Sequence, residues 1–235
     1  MRGAVFALLC MAPPLAAQPR GQATTVSLVE GTAQVRRGPH LSEHLPGVAH
    51  GLPQGSVVKQ GDWVETAEDS RLELRLPDGS ALRLGPNTRV ALDVARFERA
   101  PASGRFAARL FSGTVWVRVI GVAAAAQRFQ IATAKVVASV SGTTLRVDAH
   151  PDLSVLIRVY SGSVMVRPNA PNEAPAENAP RRAAPRQNWE KKLGQRTQIL
   201  ISADGTAGLP APFSEADEKD DDWSAWNRKR DEQGK

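Results

Sequence analysis

Apolar and polar residues alternate with a period of two through most of residues 25–167. The clearest case is residues 71–76, RLELRL, in which three leucines fall on one face of a strand. Residues 115–119, VWVRV, repeat the pattern and place Trp116 and Arg118 on the face opposite the valines. Such alternation is typical of antiparallel sheets that have one face in the core and one in water. The sequence therefore predicts an all-β fold.

Short glycine-containing segments separate the apolar runs. Five of these segments contain Gly followed by Ser or Thr, at Gly31, Gly79, Gly113, Gly142 and Gly162. Glycine adopts the positive φ that tight turns require, so each segment predicts a turn between two strands. The glycines are 48, 34, 29 and 20 residues apart, which excludes a solenoid of fixed period. The pattern leaves three architectures open: a sandwich, a roll or a short irregular β-helix of turn-linked strands.

Residues 1–17 have the features of a secretory signal peptide. Arg2 precedes an apolar stretch over residues 4–12, and small residues up to Ala17 supply a cleavage site. The stretch is shorter than the roughly 20 residues that span a bilayer, although an uncut membrane anchor is the alternative. The larger residues around Cys10 argue against a lipoprotein signal. We predict export to the periplasm, and a mature chain that has no cysteine and no transmembrane helix.

Changes in composition divide the rest of the chain. The alternating region indicates a β domain over residues 24–167. Residues 168–192 are rich in Pro, Ala and Asn and bury too little apolar surface to offset the entropy of ordering, which predicts a flexible linker. Residues 193–235 are then expected to form a strand and a helical tail.

The C-terminal tail contains sequence patterns that predict a strand, the start of a helix and the face by which that helix packs. Residues 197–201, TQILI, predict a strand that returns to the sheet. Ser214 and Asp217 fit a capping box, which predicts a short C-terminal helix from this point. Trp223 and Trp226 lie three residues apart and share one face of that helix, so we expect them to dock it.

The candidate catalytic motifs are weak. Residues 40–44, HLSEH, match an inverted zinc-protease signature, but flanking prolines leave barely one helical turn. Incidental metal binding by these histidines and His50 is an alternative to a solvated loop, which we favour. Asp62, Glu65 and Glu68 could form a glycosidase-type pair, but carboxylates without convergent geometry are usually solvated turn residues. We predict no catalytic residue, no metal site, no cofactor and no enzyme activity.

The positive charge is scattered rather than clustered. The chain has 30 Lys and Arg against 24 Asp and Glu, a net charge of +6, or +5 once Arg2 leaves with the signal peptide. Nucleic-acid binders concentrate basic residues in a patch with stacking aromatics, so we predict no nucleic-acid partner. Two roles for the basic residues remain open. They could bind anionic envelope polymers or lipid headgroups, or they could simply keep the surface soluble. The outward arginines are Arg75, Arg83, Arg118, Arg146, Arg158 and Arg167.

The order of the motifs resembles the FecR domain, the periplasmic part of iron-dicitrate-type transmembrane regulators. The resemblance covers Val26 to Arg167, and its pieces follow one another with the spacing of that family. They are Val29–Gly31, Leu52–Gly55, Gly61–Thr66, Leu74–Ser80, Gly113–Val117, Val140–Val147 and Tyr160–Val164. The matching residues are mostly turn glycines and core apolars, so they indicate a fold rather than a site.

The resemblance implies a role in signal relay across the envelope. Family members sense the signalling domain of an outer-membrane transporter and control a sigma factor through a cytoplasmic segment. This sequence shows no such segment before its signal, so we expect no direct contact with a sigma factor. Our leading hypothesis is a non-enzymatic periplasmic module that binds an envelope protein or glycan, with Trp116, Arg118, Arg158 and Tyr160 as the partner-binding residues. The alternative is a structural or carbohydrate- and peptidoglycan-binding envelope protein with no signalling role.

Overall fold

The computed structural model describes residues 23–37, 48–97, 104–120, 129–169 and 188–233. The predicted signal peptide, the histidines of residues 40–44 and most of the predicted linker lie outside the described residues. No helix within these ranges has the length and apolar character needed to cross a membrane.

The described residues form 15 strands and two short helical segments. The strands are β1 (Thr24–Glu30), β2 (Ala33–Arg36), β3 (Ala49–Gly51), β4 (Val57–Val58), β5 (Trp63–Thr66), β6 (Arg71–Arg75), β7 (Ala81–Leu84), β8 (Arg89–Arg96), β9 (Arg105–Arg118), β10 (Phe129–Ala132), β11 (Val136–Ala149), β12 (Val155–Pro168), β13 (Lys191–Leu193), β14 (Thr197–Ile201) and β15 (Ala211–Pro212). A 3-10 helix (Glu215–Glu218) and an α-helix, α1 (Asp222–Gln233), follow. The fold is all-β with a short C-terminal helix, as predicted.

All the strands belong to one mixed sheet. Its main path runs β15-β14-β12-β11-β10-β9-β7-β6-β1-β4, and β9 also pairs directly with β11. The β9–β10 pair is parallel, whereas the neighbouring β10–β11 and β7–β9 pairs are antiparallel. Apolar side chains from β1 to β14 pack in a single core, so this one sheet curves around its own apolar face. The three leucines of residues 71–76 all lie in that core, as the alternation predicted.

The prediction that each of the five glycine segments forms a turn between strands is wrong for three of them. Gly113, Gly142 and Gly162 do have positive φ, but each lies inside a continuous strand of 14 residues, β9, β11 or β12. At Gly162 an added Cβ would lie 2.5 Å from the carbonyl oxygen of Gly142, so the two strands approach too closely there for a side chain at position 162. The register between β11 and β12 shifts next to Gly142. These glycines therefore bend long strands instead of reversing the chain, a use of glycine that local sequence does not separate from a turn.

The remaining two glycines do lie at turns. Gly79 lies in the tight hairpin between β6 and β7. The Gly79 N–H donates to the Leu76 carbonyl, and the Leu76 N–H donates to the Ser80 carbonyl. Gly31 connects β1 to β2 with a φ of 78°.

The C-terminal part returns to the sheet as predicted, with one difference in boundary. β14 spans the predicted residues 197–201 and pairs with β12. β13 begins at Lys191, inside the predicted linker, and pairs with β12 at Val164–Val166. Leu193 of β13 is fully buried in the core, and this burial orders residues whose composition resembles a linker.

Candidate functional site

The most distinctive feature is a row of polar and aromatic side chains on the outer face of the sheet. The row crosses five adjacent strands, β6, β7, β9, β11 and β12, through directly paired residues. We call it the covered face, and its members are Glu73, Arg83, Trp116, Arg146 and Arg158. Outward positions of such a sheet are expected to be in water. Here Glu73, Arg83 and Trp116 are at most 1% exposed, because another part of the chain lies over them.

Residues 213–233 lie over this face, and we call them the C-terminal cover. The predicted helix start is confirmed in part. Asp217 Oδ2 accepts hydrogen bonds from the backbone N–H (2.6 Å) and the hydroxyl (2.9 Å) of Ser214, and a single turn of 3-10 helix follows. α1 then begins separately at Asp222. The rings of Trp223 and Trp226 stack with 5.3 Å between centroids, and Trp223 is buried, as their shared face predicted.

At one end of the face, Arg83 is the centre of a buried ionic network. Its Nε donates to Glu73 Oε2 (2.6 Å), and its Nη1 donates to Asp231 Oδ1 (2.7 Å) of the cover. Nη1 also lies 3.3 Å from the side-chain oxygen of Asn227, which is buried on α1. Arg230 of the cover reaches the other oxygen of Glu73 at 3.3 Å. The cover is therefore joined to the sheet by ions that are out of water.

The environment of Glu73 shifts its ionisation strongly. Burial by itself would raise the pKa of this carboxyl. Hydrogen bonds from Ser27 and Arg83, together with the charges of Arg83 and Arg75, outweigh burial and hold the pKa at about 2. Glu73 is therefore a permanent anion at neutral pH, and it balances the fully buried guanidinium of Arg83.

In the middle of the face, Arg146 binds the cover at the start of α1. Its Nε donates to Asp148 Oδ1 (2.8 Å), and its Nη1 contacts Asp221 and the Ser224 hydroxyl (3.0 Å). Although burial acts in the opposite direction, the two carboxylates raise the pKa of Arg146. The same pairing lowers the pKa of Asp221, against the effect of its partial burial.

At the other end, aromatic rings and a buried glutamate complete the contact. The Trp116 and Tyr160 rings lie 4.2 Å apart, and Phe213 of the cover packs edge-on to Tyr160 at 5.2 Å. The Tyr160 hydroxyl donates to Glu218 Oε1 (2.5 Å), and Arg158 Nη1 lies 3.4 Å from the same oxygen. Burial, together with the hydrogen bond to Glu218, raises the pKa of the Tyr160 phenol, so the side chain stays neutral.

The four predicted partner-binding residues are only partly where the sequence placed them. Trp116, Arg158 and Tyr160 do point outward and do come together, although the sequence alone did not require it. The expectation that they face solvent is wrong for Trp116, whose indole N–H donates to Asp231 Oδ2 at 3.0 Å beneath the cover. Arg118 lies two residues further along β9, is half-buried and pairs across the sheet with Ala81 and Thr144 rather than joining the row.

Other residues singled out by sequence have structural contacts. Asp62 is buried and accepts a hydrogen bond from the Lys59 N–H (2.9 Å), and Glu65 pairs with Arg89 (3.0 Å). His50 lies exposed on β3. In the described ranges, no three side chains of His, Cys, Asp or Glu are grouped as metal ligands.

The residues that sequence reasoning missed are Glu73, Glu218, Asn227 and Asp231. Glu73 and Arg83 are polar residues at outward positions of the period-two pattern, and that pattern predicts that such residues lie in water. Asp231 belongs to the helix that the two tryptophans were expected to dock. A usable signal was that an outward tryptophan in β9 and an acidic, tryptophan-bearing tail occur in the same chain.

Comparison with known proteins identifies the domain that holds this face. Two crystal structures, at 2.50 Å and 1.65 Å resolution, of a candidate anti-sigma factor from Parabacteroides distasonis ATCC 8503 resemble the chain at 18% identity with a TM-score of 0.44. Each match covers 64% of this chain and 59% of that protein. No curated protein sequence matches. Residues 62–165 match the family model described as FecR protein, a narrower range than the motifs suggested. The segment that matches this family model contains every member of the covered face.

Proposed function

We propose that the protein is a non-enzymatic binding module of the periplasm that takes part in envelope sensing or signal relay through a protein partner. The FecR domain over residues 62–165 is the single observation that carries this proposal, because the family resemblance implies signal relay. The predicted signal peptide supports the location.

The architecture suits binding better than chemistry. The charged groups of the covered face form ion pairs with one another and with carboxylates of the cover. A curved sheet held by one continuous core is a rigid support for a binding surface. The predicted partner-binding residues Trp116, Arg158 and Tyr160 belong to that support, so we place the partner-binding surface there.

Cross-linking in the native envelope tests the proposal. The full chain, tagged at its C-terminus and expressed in its own host, is cross-linked, purified and analysed for both attached proteins and peptidoglycan fragments. Repeated recovery of one envelope protein is the expected result. Recovery of peptidoglycan alone would contradict signal relay and favour the structural, glycan-binding alternative.

A matched pair of variants locates the surface. Arg158→Gln removes a guanidinium at the covered face, whereas Arg167→Gln removes one from an exposed position on the same strand, β12. We expect the first variant to change the yield of the cross-linked protein and the second to leave it unchanged. Equal yields from both variants would place the partner elsewhere on the molecule.

A further inference from the structure

Each of the three arginines of the covered face pairs with a different carboxylate of the C-terminal cover. Glu218 pairs with Arg158 on β12, and Asp221 pairs with Arg146 on β11. Asp231 pairs with Arg83 on β7. The cover carries eight acidic and four basic residues, so it approaches the arginines as a net anion. Glu218 ends the 3-10 turn, Asp221 directly precedes α1 and Asp231 lies near the end of α1, so the three arginines meet carboxylates spread over the whole cover, as arginine clusters do when they bind acidic motifs.

The fit between the cover and the face is incomplete. Arg83 is fully buried, yet its Nη2 has no hydrogen-bond partner among the described residues, and the same is true of the Trp223 indole N–H and Arg230 Nε. A buried donor without a partner destabilises the contact. Of these three donors only Arg83 Nη2 belongs to the face, and a segment of similar chemistry that accepted a hydrogen bond from it would bind the face more tightly than the cover does.

The face and its cover also belong to different parts of the chain. All five members of the covered face lie within the FecR domain of residues 62–165, whereas the cover lies at 213–233, outside it. The sheet core contains residues of every face strand but none of the cover. A 12-residue helix is marginal alone in water, so α1 depends on the face for its order more than the sheet depends on α1.

We propose that the covered face is a binding site for an acidic helical segment of a partner protein, and that the C-terminal cover occupies this site as an intramolecular competitor. The partner segment would carry carboxylates in the spacing of Glu218, Asp221 and Asp231 and an aromatic ring that packs on Tyr160. This inference rests on the proposed function and names the class of partner that the module binds.

A fluorescent synthetic peptide of residues 213–233 serves as the probe in solution. In the wild-type chain the tethered cover competes with the peptide for the covered face at a high effective concentration, so we expect the peptide to bind weakly. The full-chain variant Asp221→Asn/Asp231→Asn removes the two negative charges that the cover places against Arg146, Arg83 and Trp116, and leaves the residues of the face unchanged. Because charge-assisted hydrogen bonds are stronger than neutral ones, their loss weakens the cover, and this variant should bind the peptide at least tenfold more tightly than the wild type.

Two controls show that binding occurs at the covered face. Asp220→Asn/Glu232→Gln removes the same charge from exposed positions of the cover and should bind the peptide like the wild type. Adding Arg146→Gln to the released variant should abolish the gain. The proposal is overturned if the released variant, with a native circular dichroism spectrum, binds no more tightly than the wild type. It is also overturned if the exposed-position control gains as much.

Hydrogen exchange on the wild-type chain tests the same point without any substitution. A displaceable cover opens while the sheet stays folded, so the amides of α1 should exchange faster than those of β9 and β11. Exchange of α1 only together with the sheet core would show that the cover is a fixed part of the fold and would overturn the proposal.

The envelope cross-linking separates this inference from the proposed function. If an envelope protein is captured equally by the wild type and the released variant, and the peptide assay fails, the inference falls and the proposed function stands. If the peptide behaves as expected but only peptidoglycan is captured, the face still binds acidic helices and the proposed function falls.

Discussion

The ion pair between Glu73 and Arg83 gives the sharpest test of the covered face. Replacing Glu73 by Gln keeps the shape of the side chain but removes the charge that faces the fully buried guanidinium of Arg83. Asp231 remains 2.7 Å from Arg83, so the variant should fold with a weakened network. Removing one partner of a buried pair destabilises because the other charge is left uncompensated.

The expected size of the effect follows from the ionisation of Glu73. Its pKa is about 2 in the folded protein against an ordinary value of 4.5. A pKa lowered on folding stabilises the folded state above the ordinary value, and this contribution is lost as the pH falls towards the folded value. The difference between the two values corresponds to about 3 kcal/mol at pH 7 and to less than half of that near pH 3.

Urea unfolding of the full chain between pH 3 and pH 7 measures this contribution. We expect Glu73→Gln to lower the free energy of unfolding by about 3 kcal/mol at pH 7, with the gap narrowing as the pH falls below 4.5. Glu68→Gln, at an exposed position after β5, is the matched control and should change stability by less than about 0.5 kcal/mol. A gap below 1 kcal/mol at pH 7, or one independent of pH, would show that Glu73 does not stabilise the fold through its charge.

Two further predictions concern the bent strands and the buried phenol. Gly162→Ala places a Cβ 2.5 Å from the Gly142 carbonyl at a φ of 76°, so we expect a loss of about 2 kcal/mol or more in urea unfolding. Gly194→Ala, whose Cβ meets nothing within 4 Å, is the control, and equal losses would contradict the bend. Tyr160 is the single tyrosine, so the ultraviolet absorbance of tyrosinate reports it directly. We expect it to stay neutral at pH 10, and the raised pKa means that its stabilisation is lost as the pH rises further. Titration at the ordinary pH 10, or an unchanged titration in Glu218→Gln, would argue against the buried contact.

The sequence predicted much of the fold because local pattern and tertiary structure agree there. The period-two alternation of residues 71–76 and 115–119 places the three leucines, Val115 and Val117 in the core, with Val119 partly buried against it, as expected from strands with one apolar face. The helix signals near Ser214 predicted a helical tail, and the tryptophans predicted its docking face. Glycine conformation was also predictable, since all five glycines have positive φ.

The function of those glycines was not predictable. A positive φ serves a hairpin at Gly79 and a bend inside a long strand at Gly142 and Gly162. The difference depends on whether the chain beyond the glycine finds a partner strand in line with the chain before it. That depends on β9, β11 and β12 pairing over long stretches, which no local window contains.

The candidate site shows the same division. The alternating pattern predicted the β domain, its apolar core and the outward direction of Trp116, Arg158 and Tyr160, because side-chain direction in a strand alternates with residue number. The burial of this outward face follows from the tertiary contact with the C-terminal cover. An outward arginine reads the same in sequence whether water or a carboxylate faces it. The carboxylates that face Arg83 and Arg146 come from Asp231 and Asp221, which lie 148 and 75 residues away along the chain. A polar face becomes buried only when another part of the chain packs on it. The C-terminal cover can pack here only after the sheet has brought five separate strands side by side.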